Sequence, residues 1–293
     1  MSRLRSIAKA TTLEILSEPL SLLLSGAAVA LSALAPAFHY HQFGEPTRMA
    51  REAGLSALLV CGLAFATFGT LRTFRRELET GTAAVALSLS VSRSGFLLAK
   101  VFGSLVAYLL FAVSVFAVTA TVVRGAEIGA FVAGRNGDLP KLWGPSLACA
   151  LGAFLVPVTL AALLNRFARC RFVLTAMALF AGCSLAALAY APSPAVLAQL
   201  APVAVVTACV PVVFLAATAA ASVRLKANAA LSAVALALVA FVPALGNYCV
   251  SDALSAGGSL SWAYVARSLA WAALLVAGFL LAGIALFNSQ DLT

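Results

Sequence analysis

Charge is scarce in this chain. Of 293 residues only 10% are charged, while 63% are hydrophobic. An average soluble domain carries about 25% charge and about 45–50% apolar residues. So few charges cannot cover the surface of a soluble globule, and so much hydrocarbon excludes a disordered chain. Histidine is nearly absent: His39 and His41 are the only two. That leaves little for imidazole-based metal or proton chemistry. In His39-Tyr40-His41 the pair reads as an interfacial aromatic belt, with a shared metal as the alternative. The six cysteines, Cys61, Cys149, Cys170, Cys183, Cys209 and Cys249, form no CxxC pair. Most fall in apolar runs and read as free thiols that pack like small hydrophobes.

Catalytic signatures are missing as well. A phosphate loop needs G-x-x-x-x-G-K-[ST], and the chain has no Gly-Lys dipeptide. HExxH and GxSxG are also absent. No acid falls inside the long apolar runs, where proton- and ion-coupled carriers place theirs.

What the chain does have is length of hydrocarbon. Eight runs approach the roughly 20 residues a helix needs to cross a bilayer: 20–38, 54–71, 101–123, 146–164, 172–190, 197–222, 229–245 and 263–286. They are continuous rather than alternating, so they predict helices and not a barrel. The fold class expected is all-α: a polytopic transmembrane bundle of six to eight spans, eight preferred, some runs being open to a re-entrant reading. Pro157, Pro202, Pro211 and Pro243 fall inside spans and are candidates for bends along a pathway.

The net charge of +9 reports topology. With eight spans, thirteen basic residues, among them Arg3, Arg5, Lys9, Arg72, Arg75, Arg76, Arg166, Arg169 and Arg171, share one side. Six, including Arg48, Arg51 and Arg267, lie on the other. Basic residues accumulate in cytoplasmic loops, so both termini are expected in the cytoplasm. Arg267, near the outer end of the last span, reads as snorkelling to the interface, with an anionic substrate contact as the alternative. Residues 1–19 carry Leu4, Ile7, Ala8, Thr11 and Ile15 at helical spacing, with Arg5, Lys9, Glu14 and Glu18 projecting elsewhere. This predicts an amphipathic interfacial helix rather than a cleaved leader. Residues 20–293 form the transmembrane domain.

The inside loop 72–100, RTFRRELETGTAAVALSLSVSRSGFLLAK, is the most informative stretch. Its apolar part, 82–91, is too short to cross a membrane and is flanked by basic residues. Val85, Leu87, Leu89 and Val91 alternate as a strand would, yet a lone loop offers no strand partner, so a short helix capped by Thr80 or Thr82 is expected. A basic membrane anchor with no partner is the plain alternative.

This loop resembles that of the membrane subunits of ABC transporters, the ABC type-2 permease family. The matching residues are Glu77, Glu79, Gly81, Thr82, Arg93 and Lys100. The amphipathic helix before the first span and the tail Phe287 to Asp291-Leu292 also fit. The chain departs from the family at Ser90-Val91-Ser92-Arg93, where a proline is common, at Asn288-Ser289-Gln290-Asp291, where a basic residue is common, and in having eight runs rather than six. The resemblance implies an ATP-driven exporter's permease with no enzyme activity and no cofactor of its own, ATP and Mg being held by the partner. It implies two copies of a separate ATPase subunit, a second permease copy or a similar chain, no nucleic acid, and residence in a bacterial inner membrane. Glu77, Glu79, Gly81, Thr82, Val85, Leu87, Arg93 and Lys100 would then couple to the ATPase. The almost charge-free spans suit an amphipathic or lipidic cargo better than a small ion. A membrane-embedded lipid-modifying enzyme and a secondary carrier are the other classes considered.

Overall fold

The computed structural model describes residues 2–34, 46–79, 92–136, 144–190, 194–225 and 260–289. Every regular element among them is an α-helix. In chain order these are α1 (Ser2–Leu16), α2 (Pro19–Leu34), α3 (Pro46–Glu79), α4 (Arg93–Asn136), α5 (Gly144–Ala168), α6 (Phe172–Tyr190), α7 (Pro194–Arg224) and α8 (Trp262–Asn288). In hydrocarbon every backbone N–H and C=O must be satisfied within its own segment, which is why Ala- and Leu-rich runs adopt this one conformation.

Five of these helices, α3, α4, α5, α7 and α8, are long and apolar enough to cross a membrane. The bent pair α1–α2 would make a sixth, and α6 is apolar but shorter. Seven of the eight apolar runs thus coincide with helices; the run 229–245 lies outside the described residues.

The break between α1 and α2 turns the chain by 60°. Two serine side chains add second bonds to carbonyls that backbone N–H groups already reach at the end of α1: Ser17 Oγ donates to Leu13 O and Ser21 Oγ to Ile15 O, both at 2.6 Å. Pro19 opens α2 at the position where its missing N–H costs nothing. On α1, Ala8, Thr11 and Ile15 are buried as the periodicity required, while Leu4 is 37% exposed.

The helices α3 and α4 outrun their apolar stretches. With 34 and 44 residues they reach about 50 Å and 66 Å at 1.5 Å per residue. A bilayer core measures about 30 Å, so both continue beyond it. Residues 72–79 and 93–100, expected as parts of a loop, are the last turns of α3 and the first turns of α4. Arg and Glu are good helix formers, so nothing stops the helix where the hydrocarbon ends.

The helix α4 is the hub and packs on all seven others. Close approach depends on small residues. A Cβ at Gly103 would overlap Ala8 O of α1, and one at Gly54 would overlap the Thr119 side chain. Aromatic contacts fill the centre: the rings of Phe65 and Phe111 stack at 4.6 Å, and Phe154 meets Phe180 edge-on at 5.6 Å. Tyr108 Oη donates to Ala208 O at 3.1 Å, tying α4 to α7.

The helices α7 and α8 run parallel. Gly283 of α8 backs on Ala220 of α7 near their C-terminal ends, while Ala272 and Cys209 line one groove nearer their N-termini. Leu225 and Leu260 therefore stand at opposite ends of the bundle. Pro157, Pro202 and Pro211 lie inside helices; Pro243 is outside the described residues. Cys61, Cys149, Cys170, Cys183 and Cys209 are free thiols.

Candidate functional site

One end of the bundle gathers the charge. There the turn between α1 and α2, the end of α3, the start of α4 and the end of α8 come together. Lys100 is fully buried, and its Nζ lies 2.6 Å from Glu77 Oε1. The same ammonium donates to Thr73 O at 3.4 Å and sits 5.9 Å from the centre of the Phe74 ring. The carboxylate, the carbonyl and the ring face all favour a cation there.

Two more ion pairs bind the amphipathic helix to α3. Arg72 Nη1 is 2.8 Å from Glu18 Oε2, and Arg76 Nη1 is 3.4 Å from Glu14 Oε1. The arginines are largely exposed, so each pair contributes at most about 1 kcal/mol. Their value is positional. Burial raises the Glu14 carboxyl above its ordinary range; Lys100 and Arg76 pull it down, and Glu77 and Glu18 push it further up. Thr12 Oγ1 also reaches Gly103 O at 2.9 Å, so α1 is held to α4 through backbone as well.

Arg93 sits at the first position of α4 and reaches across to the last carbonyls of α8. Its Nη1 donates to Phe287 O at 3.3 Å and to Asn288 O at 3.4 Å. A guanidinium at a helix C-terminus meets the last carbonyls and the negative end of the dipole. The rings of Phe96 and Phe287 stack beside it at 6.3 Å.

The structure therefore brings Glu77, Lys100 and Arg93 of the sequence-derived set to one end, each against another helix of this chain. Glu79 closes α3. Gly81, Thr82, Val85 and Leu87 lie outside the described residues, as do His39 and His41. Glu14, Glu18 and Arg72 belong to the same cluster, and sequence reasoning assigned them no partners. The signal was the pair of acids Glu14 and Glu18, one on α1 and one in the turn after it, following an otherwise basic stretch.

A second feature of the basic set is the turn between α5 and α6. Arg169 has φ 53°, a left-handed conformation unusual for a side chain of this size. Asn165 Nδ2 donates to Cys170 O at 2.7 Å and holds the turn closed. Arg166, Arg169 and Arg171 are all exposed on it. Among the described residues no group of three or more His, Cys, Asp or Glu could hold a metal ion. Compared with protein-family models, curated proteins and solved structures, the chain matches none.

Proposed function

We propose that this chain is the permease subunit of an ATP-driven ABC exporter and that it works with separate ATPase subunits. The observation that carries the reading is the joined end of α3 and α4. The Lys100–Glu77 pair fixes these two helix ends against each other, so residues 80–91 leave from a firm base. A force applied to that segment would pass directly into α4, which touches every other helix. The basic residues of the same end support a cytoplasmic position for it, with eight crossings and both termini inside. Residues Glu79, Gly81, Thr82, Val85 and Leu87 would then meet the ATPase, in a bacterial inner membrane, with two copies of each chain in the assembly.

The test is assembly and orientation. Purified alone, the chain should hydrolyse no ATP. Co-expressed with a phosphate-loop ATPase encoded beside it, it should co-purify as two copies of each. A cysteine placed at Gly137 should react with an impermeant reagent from outside, and one at Ser94 should not. A fully active monomer without an ATPase, or the reverse labelling pattern, overturns the reading.

A further inference from the structure

A groove of about 460 Å³ opens on one side of the bundle where α4, α7 and α8 diverge. Leu109 and Phe116 of α4, Ala208 and Val212 of α7, and Ala272 and Val276 of α8 line it. Every lining side chain is hydrocarbon apart from the Cys209 thiol. The groove narrows toward the charged end, where Gly283 closes on Ala220 and Leu97.

Its lining decides what fits. A single hydrocarbon chain is slender enough to lie in it lengthwise. Among the described residues no polar side chain lines it to orient a sugar, a nucleotide or an ion.

The outer mouth has the matching chemistry. Trp262 precedes Leu269 by seven residues on α8, so it stands about two turns above the lining on the same face. It is largely exposed. Tryptophan at a helix end belongs at the headgroup level of a bilayer, its ring in hydrocarbon and its N–H toward polar groups. On α7, Ala198 precedes Val205 by seven residues, so a small, exposed side chain stands on the facing side about two turns above the lining.

We propose that this groove is a binding site for one acyl chain of a bilayer phospholipid, entering from the leaflet opposite the charged cluster. Its glycerol and headgroup lie at the level of Trp262. Surrounding lipid is as apolar as the groove, so occupancy is set by shape and by the abundance of chains at its open side, not by a hydrophobic driving force. The proposal stands apart from the transport reading, since it needs no ATPase.

The test uses the full chain in phosphatidylcholine nanodiscs with a tracer phosphatidylcholine bearing a photoreactive diazirine near the end of its acyl chain. Labelled peptides are mapped by mass spectrometry, with the exposed face of α5, at Leu155 and Leu163, as the bulk-lipid reference. Peptides containing residues 201–212 and 269–276 should be labelled several-fold above that reference. Ala208→Phe and Ala272→Phe, which fill the groove, should bring them down to it while α5 labelling stays constant. Equal labelling of groove and α5 in the unmodified chain overturns the proposal, and this comparison stands even if both variants fail to fold. So does undiminished groove labelling in a folded Phe variant. Oxidative joining of two copies through Cys209 would put a second chain in the groove and overturn it too.

Discussion

Lys100 of α4 has its ammonium 2.6 Å from the Glu77 carboxylate of α3 while exposing none of its own side chain. Glu77 is 28% exposed, so the pair is set at the edge of the bundle with its positive half inside. A cation in that position is tolerated because a carboxylate, a carbonyl and an aromatic face surround it. Remove the carboxylate and the cation remains buried.

The first prediction follows from that asymmetry. Breaking a buried pair by deleting one partner costs about 3–5 kcal/mol, while replacing both by apolar or neutral groups is often near neutral. Glu77→Gln should therefore lower the thermal unfolding midpoint markedly. Lys100→Met should be milder, and the double variant should recover most of the loss. If Glu77→Gln unfolds like the unmodified chain, the pair does not hold α3 to α4.

Glu77 is for the same reason a poor probe of coupling. Glu79 is the better one. Glu79→Lys should leave unfolding unchanged yet weaken co-purification with the ATPase or its stimulated hydrolysis. Glu127, whose half-buried pair with Arg124 spans 3.0 Å, provides the control. Glu127→Lys should alter stability by no more than about 1 kcal/mol and coupling not at all. Normal coupling in Glu79→Lys would leave the segment as a membrane anchor.

Gly103 lets α1 lie directly on α4. A side chain there would strike Ala8 O and Thr11. Overpacking of this kind costs about 1–3 kcal/mol, and here α1 can relieve it by lifting away. Gly103→Val should raise the reactivity of a cysteine placed at Ile15, which is 2% exposed in the packed state. The rest of the bundle should keep its helix content by circular dichroism.

The docking of α1 should also depend on pH through Glu14. Burial raises its carboxyl above the ordinary value of 4.5, so the folded chain holds this proton to higher pH than the unfolded chain does. The sign follows from linkage: the contribution is fully present below the ordinary value and is lost as pH rises through the raised one. Urea midpoints measured from pH 4.5 upward should show that decline in the unmodified chain. Glu14→Gln, which cannot ionise, should flatten it.

Arg93 should matter for the end of α8. Arg93→Gln removes the charge from two carbonyl contacts and should cost about 1 kcal/mol. Hydrogen exchange at residues 285–289 should quicken while the middle of α8 is unaffected. Unchanged exchange there would mean that Phe96 and Phe287 hold the end without the guanidinium.

The helices were legible because hydrocarbon leaves a backbone little choice. Runs such as 146–164 and 263–286 have no means of satisfying their peptide groups except as helices, and α5 and α8 appear where those runs lie. The buried face of α1 was legible too, since Ala8, Thr11 and Ile15 recur at helical spacing. The ends of α3 and α4 were not. Hydropathy falls at Arg72 and rises again only near Val101, but helix propensity does not follow hydropathy, so the helices run on through charged residues. The acyl groove had no sequence signal, because its alanines look like those of any membrane helix.

Composition by itself determined that this chain is a set of apolar helices, since transfer free energy and backbone satisfaction are local properties that each run carries alone. Only the tertiary structure decided which charges meet. Glu77 and Lys100 are separated by a segment with no visible code for their contact, and Arg93 finds the end of α8 across 194 positions. Those partnerships arise from how α1, α3, α4 and α8 pack, and packing is set by side-chain shape at many contacts at once. The same holds for Gly103, whose missing side chain acquires a purpose only when α1 is laid across it.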